Sequence, residues 1–433
     1  MREALKKRIV HQLYWLVLFF PIWWFLGVEQ FFWFISVSLV FIQFVIYSKF
    51  QFHLSIVSVL LLLFLFVYGV SFFSVEEKVR YITYFRNLST YITAFMLLTM
   101  LWNVVEKWHQ IEKILNGIVF VMLFASVVGL LAFSFEIFRF QFKSLTGYFL
   151  PDFIAKTGYG SVIAIRNVGY YNWFLGINTY FRPSSFFLYS TMFSSTLAIV
   201  LPIAILLRDI HVGFRRWYYS IVVLIMILAL IATTGRVAIL AFFIGYILFR
   251  IISVRNIKIK SLIFLLGSTV ILVLLFILER SGILYQIIDL VLYSRGEGST
   301  NTRIDIYIQT FNSFLERPFF GWGTERDVNG LAYPLGSHSY YLGTLYKQGI
   351  IGLTVFLLLF ISIWKCLKVR IFIDNNFTRF LKYGQFLMIV YFLNSFTDVL
   401  DLDATTMMFS WLIISLLIVG KRIYMNNLIK KDA

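Results

Sequence analysis

Residues 54–73 read LSIVSVLLLLFLFVYGVSFF, twenty residues without a charge. A helix rises about 1.5 Å per residue, so this stretch makes a rod of about 30 Å, the thickness of a bilayer's hydrocarbon core. That core offers no water to peptide groups, and an α-helix pairs all of its own. The stretch therefore reads as a transmembrane helix, and the pattern recurs. Further spans are expected at 12–27, 29–48, 88–104, 114–138, 184–207, 217–235, 237–252, 261–279, 341–364, 381–397 and 405–420. The first follows Lys6, Lys7 and Arg8, as in the charged start of a signal peptide. No small-residue cleavage site comes after it, and it is read as a retained anchor. The expected fold class is an all-α integral membrane protein of about 12 transmembrane helices with a large extracytoplasmic loop.

Composition agrees. Of 433 residues, 60% are hydrophobic and 14% charged, whereas soluble domains carry roughly 25% charge. A single aqueous core could not hide so much apolar surface. The 49 phenylalanines and 25 tyrosines suit lipid-facing helices with aromatic belts at the headgroups. One cysteine, Cys366, excludes an intrachain disulfide, and the five histidines are scattered, with no metal-ligand spacing.

The net charge of +17 raises the question of nucleic acid, but its distribution answers differently. With residue 1 inside, the inside segments are the N-terminus, 49–53, 105–113, 208–216, 250–260, 365–380 and the C-terminus. With their flanks they hold 23 basic and 6 acidic residues, against 15 of each outside. The whole net charge falls on one face, as the positive-inside rule requires. Both termini are therefore expected in the cytoplasm, and nucleic acid is not expected as a partner. The expected organisation is 1–139, N-terminal transmembrane helices; 140–183, an extracytoplasmic loop; 184–279, central transmembrane helices; 280–340, a large extracytoplasmic catalytic loop; and 341–433, C-terminal transmembrane helices and a cytoplasmic tail.

Long outer loops point to chemistry or binding on that face. Arg182 is read as opening the sixth span, and Arg236 lies in Thr233-Thr234-Gly235-Arg236, so tight a turn that it must sit at the bilayer edge or in a protein cavity. Ionisable groups at that depth are costly and often functional; the alternative is an arginine snorkelling to headgroups. The loop 280–340 adds Arg295 and Arg303, the latter opening an amphipathic helix from Ile304 to Leu315, though it could simply face water. Together these arginines could form a cationic site, because the guanidinium fork binds phosphate oxygens bidentately and keeps its charge. His338, the only outer histidine, stands at the mouth of the tenth span, where an imidazole could take a proton from an attacking hydroxyl or make an ordinary hydrogen bond. No glycine-rich phosphate loop is present. Asp401 and Asp403 have the spacing of a metal pair but lie on a very short turn, so phosphate chemistry would rest on arginine rather than on a metal.

Four stretches carry a resemblance. They are Arg182-Pro-Ser-Ser-Phe-Phe; Thr234-Gly235-Arg236-Val-Ala; Arg303 through Glu316-Arg317-Pro318-Phe-Phe-Gly321-Trp-Gly323; and His338-Ser-Tyr-Tyr-Leu followed by Gly349-Ile-Ile-Gly352. In this order the chain resembles the O-antigen ligase and O-antigen polymerase superfamily of bacterial surface polysaccharide assembly, over roughly residues 180–365. Two positions depart from its pattern: Gly235 replaces a serine before Arg236, and Ser339 replaces an asparagine after His338. The arginines and the histidine remain, so the departures bear on donor or acceptor preference.

The resemblance implies a C-type glycosyltransferase-like fold and a multi-pass protein of the bacterial cytoplasmic (inner) membrane. It implies a polymerase of O-antigen, capsule or exopolysaccharide that needs no cofactor. The donor would be an undecaprenyl-pyrophosphate-linked oligosaccharide and the acceptor a glycan or glycolipid, with membrane lipids and a chain-length regulator as further partners. Arg182, Arg236 and Arg303 would bind the donor pyrophosphate; His338, Arg236 and Arg303 would be catalytic. One base and a good leaving group suit inversion by direct displacement, since retention would call for a carboxylate nucleophile. An O-antigen ligase is the close alternative. A lipid-linked oligosaccharide flippase is the alternative of another class, though it should line a path with charges inside its spans.

Overall fold

The computed structural model describes residues 2–49, 51–155, 158–174, 177–254, 279–280, 297–328, 330–331, 333–369 and 376–432. The chain is an all-α integral membrane protein. Helix α1 (Arg2–Leu18) and α2 (Phe20–Leu26) are one apolar stretch bent by 51°, with Pro21 in the first turn of α2. The proline ring removes a hydrogen bond and crowds the preceding turn. Then come α3 (Glu29–Ser48), α4 (Ile56–Ser71), α5 (Tyr81–Val104) and α6 (Trp108–Ser134). After a segment of short strands and helices follow α10 (Ser190–Ile210), α11 (Gly213–Ala232) and α12 (Arg236–Ser253), and later α14 (Tyr340–Leu367), α15 (Asn376–Asn394) and α16 (Ala404–Asp432). Each expected span has its helix except 261–279, which, like Arg295, lies outside the described residues. Among the described residues, eight helices are long and apolar enough to cross a membrane, nine with the bent pair. Helices α5 and α15 are the less apolar ones.

Burial sorts the bundle. Helices α10 and α16 are 94% buried over their apolar windows, while α3 and α12 are 28% buried. The former are the central pillars; the latter turn most of their side chains outward, where lipid would meet them. Helix α10 reads STMFSSTLAIVLPIAILL, and its small Ser, Thr and Ala side chains let neighbours approach closely. Thr196 on α10 meets Thr406 on α16 at 2.9 Å, hydroxyl to hydroxyl.

The bundle has two chemically distinct ends. At one, the basic loops meet: Lys6 pairs with Glu106, Lys421 donates to the Lys368 carbonyl (2.7 Å), and Arg379 donates to the Asp209 carbonyl (2.9 Å). At the other, buried charges are matched in pairs: Arg166 with Glu29 (2.6 Å) and Lys347 with Asp401 (3.2 Å). Asp401 also accepts from Tyr91 (3.0 Å), and Asp403 accepts from Gln30 (2.6 Å) and Thr406 (2.7 Å). These bonds pin the two aspartates to different helices, so the short turn carrying them is a structural knot.

The segment 140–183 folds into more than a loop. Strands β1 (Gln141–Lys143) and β2 (Ile165–Asn167) pair antiparallel around three short helices, α7 (Leu145–Phe149), α8 (Asp152–Ala155) and α9 (Gly158–Ala164). Strands β3 (Gly169–Phe174) and β4 (Ile177–Pro183) form a second antiparallel ladder with Tyr170 opposite Arg182. This corrects one expectation. Arg182 does not open the sixth span; it ends a strand, and α10 starts eight residues later at Ser190. Pro183 has no N–H for a ladder or a helix interior, and Ser185 takes a positive φ of 48°, so the chain turns before it can wind.

Candidate active site

Arg182 is 5% exposed, although it belongs to a two-stranded ladder between membrane-spanning helices. Its Nε donates to the Thr233 carbonyl at 2.9 Å, which ties β4 to the α11–α12 turn. Its Nη2 is buried with no hydrogen-bond partner among the described residues. Burial pushes the guanidinium down to about 10; Asp398 opposes that shift, and Arg236 and Arg303 add to it. It stays charged at neutral pH and shares one electrostatic neighbourhood with both arginines.

Arg236 is the first residue of α12, and the turn before it explains the glycine at 235. A Cβ on Gly235 would stand 2.2 Å from Ser194 Oγ and 2.6 Å from Ser194 Cβ. The hydroxyl that the superfamily carries at 235 is thus supplied in space by Ser194 on α10, whose Oγ donates to the Thr191 carbonyl at 2.8 Å. Gly235→Ser is therefore expected to lower stability and activity alone, and Ser194→Gly to relieve it. Thermal unfolding across the four-member cycle should give a coupling of roughly 1 kcal/mol or more; additive effects would disprove the exchange.

Helix α13 (Glu297–Glu316) carries Arg303 in its second turn rather than at its start, so the amphipathic helix expected from Ile304 extends further back. Residues 303, 307 and 310 fall on one stripe, at i, i+4 and i+7. The Tyr307 hydroxyl donates to the His338 carbonyl (2.8 Å), and Thr310 Oγ1 accepts from the Gly336 N–H (3.1 Å). Arg303 is thereby carried to His338 on a clamped helix.

His338 has φ 62°, a left-handed conformation that a side chain adopts at a cost. The Tyr333 ring meets its imidazole edge-on at 4.6 Å between centroids. Nε2 is buried with no partner among the described residues. Burial, and then the positive charge of Arg303, lower its pKa to about 4, so the ring is neutral at physiological pH. Ser339, where the superfamily has asparagine, caps α14 by accepting from the Leu342 N–H (3.3 Å). Serine and asparagine are equivalent caps, so this departure preserves the local geometry.

The glycine motifs explain how the loop is held. Helix α14 breaks at Gly349 (φ 67°, ψ −170°), which orphans peptide groups on both sides. Residues 318–323 dock into the gap. Trp322 and Gly323 donate to the carbonyls of Tyr346 (2.9 Å) and Lys347 (2.8 Å), and Ile350 donates to the Pro318 carbonyl (2.8 Å). Such a break is tolerated only where protein re-satisfies the backbone. Contact is so close that a Cβ on Gly321 would lie 2.3 Å from the Tyr346 oxygen.

One further residue escaped the sequence reading. Asp398, on the turn between α15 and α16, accepts from Ser195 Oγ at 2.9 Å and acts electrostatically on Arg182. It belongs to no motif, and a lone acid in a short turn gives no signal. Tyr307 could have been found, four residues after Arg303 on a helical stripe. Arg303 thus joins the parts of the cluster: its charge acts on Arg182, Arg236 and His338 alike, and Asp398 acts on Arg182.

One family model matches part of the chain. Residues 221–357 match the family model described as O-antigen ligase, a stretch that contains Arg236, Arg303 and His338 but not Arg182. No curated protein matches the chain. Through residues 221–357, about a third of its length, the chain is thus similar to the O-antigen ligase family, which supports a glycosyl-transferring function of the O-antigen ligase or polymerase type.

Proposed function

We propose that this protein is a surface-polysaccharide polymerase that transfers glycan from undecaprenyl pyrophosphate to a sugar hydroxyl, with inversion and without a metal. The observation that carries the reading is the pair of buried, unpartnered nitrogens, Arg182 Nη2 and His338 Nε2, in one arginine cluster. Three guanidiniums against Asp398 leave a charge of about +2, which matches the two negative charges of a pyrophosphate diester. By charge and hydropathy, the termini lie in the cytoplasm and residues 280–340 on the outer face.

In the reaction the acceptor hydroxyl attacks the anomeric carbon, the C1–O bond breaks, and its electron pair leaves on the pyrophosphate. Arg182, Arg236 and Arg303 hold the donor and stabilise the charge that grows on the leaving oxygen. The hydroxyl proton passes to Nε2 of His338. At a pKa of about 4 the free enzyme has this base neutral but weak. The bound dianion offsets Arg303 and raises its basicity when the substrate is in place.

The pH profile follows. kcat/KM, which reports the free enzyme, should stay level on acidification and fall only as pH drops through about 4, because protonation of His338 removes the base. The kcat profile should fall at a higher pH. Coincident limbs near 6.5 would count against base activation by the donor.

Purified protein in nanodiscs with the lipid-linked oligosaccharide alone tests the function. A ladder of repeat units is expected, lost in Arg236→Lys, which keeps the charge but not the fork. Product that forms only when a glycolipid acceptor is added would make the protein a ligase. A full ladder from Arg236→Lys would remove the arginine assignment.

A further inference from the structure

The proposed reaction leaves the basic end of the bundle unused, yet that end holds a cavity of about 400 Å³, lined by Glu112, Asn116, His211, Phe214, Arg215, Tyr218 and Tyr219. It lies between the first turns of α6 and the α10–α11 turn. Its floor is built. Tyr219 donates to Asn116 Oδ1 at 2.8 Å and packs against the His211 ring, tilted by 31° at 5.2 Å between centroids. His211 Nδ1 lies 2.7 Å from the Leu207 carbonyl, and Nε2 lies 3.1 Å from Glu112 Oε1.

A carbonyl can only accept, so Nδ1 carries the proton of the ring. The Glu112 carboxyl stands at the other ring nitrogen, and Arg215, which makes no hydrogen bond or ion pair among the described residues, is the guanidinium of the lining.

The rim is apolar and exposed: Val212 is 83% exposed, Phe214 78% and Trp217 61%. Helix α11, which begins here, is long and apolar enough to span. Aromatic side chains at such a helix end mark headgroup depth. A polar hollow with one free guanidinium, rimmed by rings that prefer the interface, has the chemistry of a phospholipid's head and upper chains.

We propose that this cavity binds the headgroup of an anionic phospholipid. The phosphodiester sits on Arg215, the headgroup hydroxyls lie against Asn116, Tyr219 and the Glu112–His211 pair, and the acyl chains leave past Phe214 and Trp217. The proposal is independent of the reaction at the opposite end.

Arg216 supplies the control. It adjoins Arg215, has the same charge and is exposed, but it does not line the cavity. The full chain, purified in detergent, is titrated with phosphatidylglycerol and with phosphatidylcholine, and bound lipid is read by native mass spectrometry. Phosphatidylglycerol should bind in preference. Arg215→Ala should weaken it about ten-fold, the scale of a charge-assisted phosphate contact, while Arg216→Ala changes it less than about two-fold. Both arginines are on the surface, and size-exclusion profiles verify that the variants fold. Equal losses in the two variants would mean diffuse attraction to a basic surface and would overturn the site. No loss in Arg215→Ala, or equal binding of the two lipids, would overturn it as well. Displacement of the lipid by millimolar inorganic phosphate would show a simple anion site and refute the lipid assignment.

Discussion

Replacing His338 by alanine or by glutamine is expected to slow glycan transfer by roughly 10²–10⁴-fold, the usual contribution of a positioned general base. Binding of the lipid-linked donor should survive in both variants, because Arg182, Arg236 and Arg303 hold the pyrophosphate in the proposed reading. The two substitutions together separate chemistry from placement. Glutamine can hydrogen-bond the acceptor but takes no proton at neutral pH. If glutamine restores activity, His338 only orients the acceptor. If alanine is active with purified donor and acceptor, the residue is structural. The local fold should tolerate either change. The His338 backbone is held through its carbonyl by Tyr307 (2.8 Å) and through the neighbouring Ser339 cap, neither of which involves the imidazole. Assays with and without EDTA complete the test: loss of activity on chelation would bring in a metal that the proposed chemistry does without.

Gly349→Ala is expected to be worse for the fold than any single change in the arginine cluster. The backbone there (φ 67°, ψ −170°) lies in a region populated essentially by glycine. A Cβ would stand 2.2 Å from the Phe319 carbonyl oxygen, which is backbone and cannot rotate away. Expelling residues 318–323 would also strand the carbonyls of Tyr346 and Lys347 beside a membrane-spanning helix. We expect a loss of roughly 3 kcal/mol or more, seen as aggregated protein or a collapsed unfolding temperature in detergent. Gly69→Ala is the control. It sits in α4 with nothing within 4 Å of an added Cβ, and alanine is the better helix former. Equal behaviour of the two variants would refute the docking of the loop into the broken helix.

Most of the helical frame was legible because the relevant property is one-dimensional. Twenty uncharged residues at 54–73 must satisfy their peptide groups in a helix inside a bilayer, and each expected range overlaps a helix wherever the chain is described, the span expected from 184 starting late at Ser190. The candidate site was legible in part. The arginines and His338 stood out by residue type and depth, and the order of the four stretches resembled a superfamily. The failures were local to places where distant segments meet. The apolar run Phe186-Phe187-Leu188-Tyr189 reads as the start of a span opened by Arg182, yet pairing with β3 and the turn at Ser185 hold that run out of α10. Segment 140–183 reads as a loop in the sequence because β1 and β2, of three residues each, are too short to show an alternation.

The sequence by itself determined that this chain lives in a bilayer, where its helices run and which loops carry the charge, because hydropathy and charge are summed residue by residue along a segment. Only the tertiary structure decided the site. Arg182 reaches the arginines because its Nε finds the Thr233 carbonyl on another turn. Gly235 is glycine because Ser194, forty-one positions earlier, fills its space. Asp398 joins because Ser195 holds it. His338 is an uncharged imidazole because burial and Arg303 make it one. Each depends on the distance between residues far apart in the chain. That distance is set by which peptide groups and side chains satisfy one another where water is scarce.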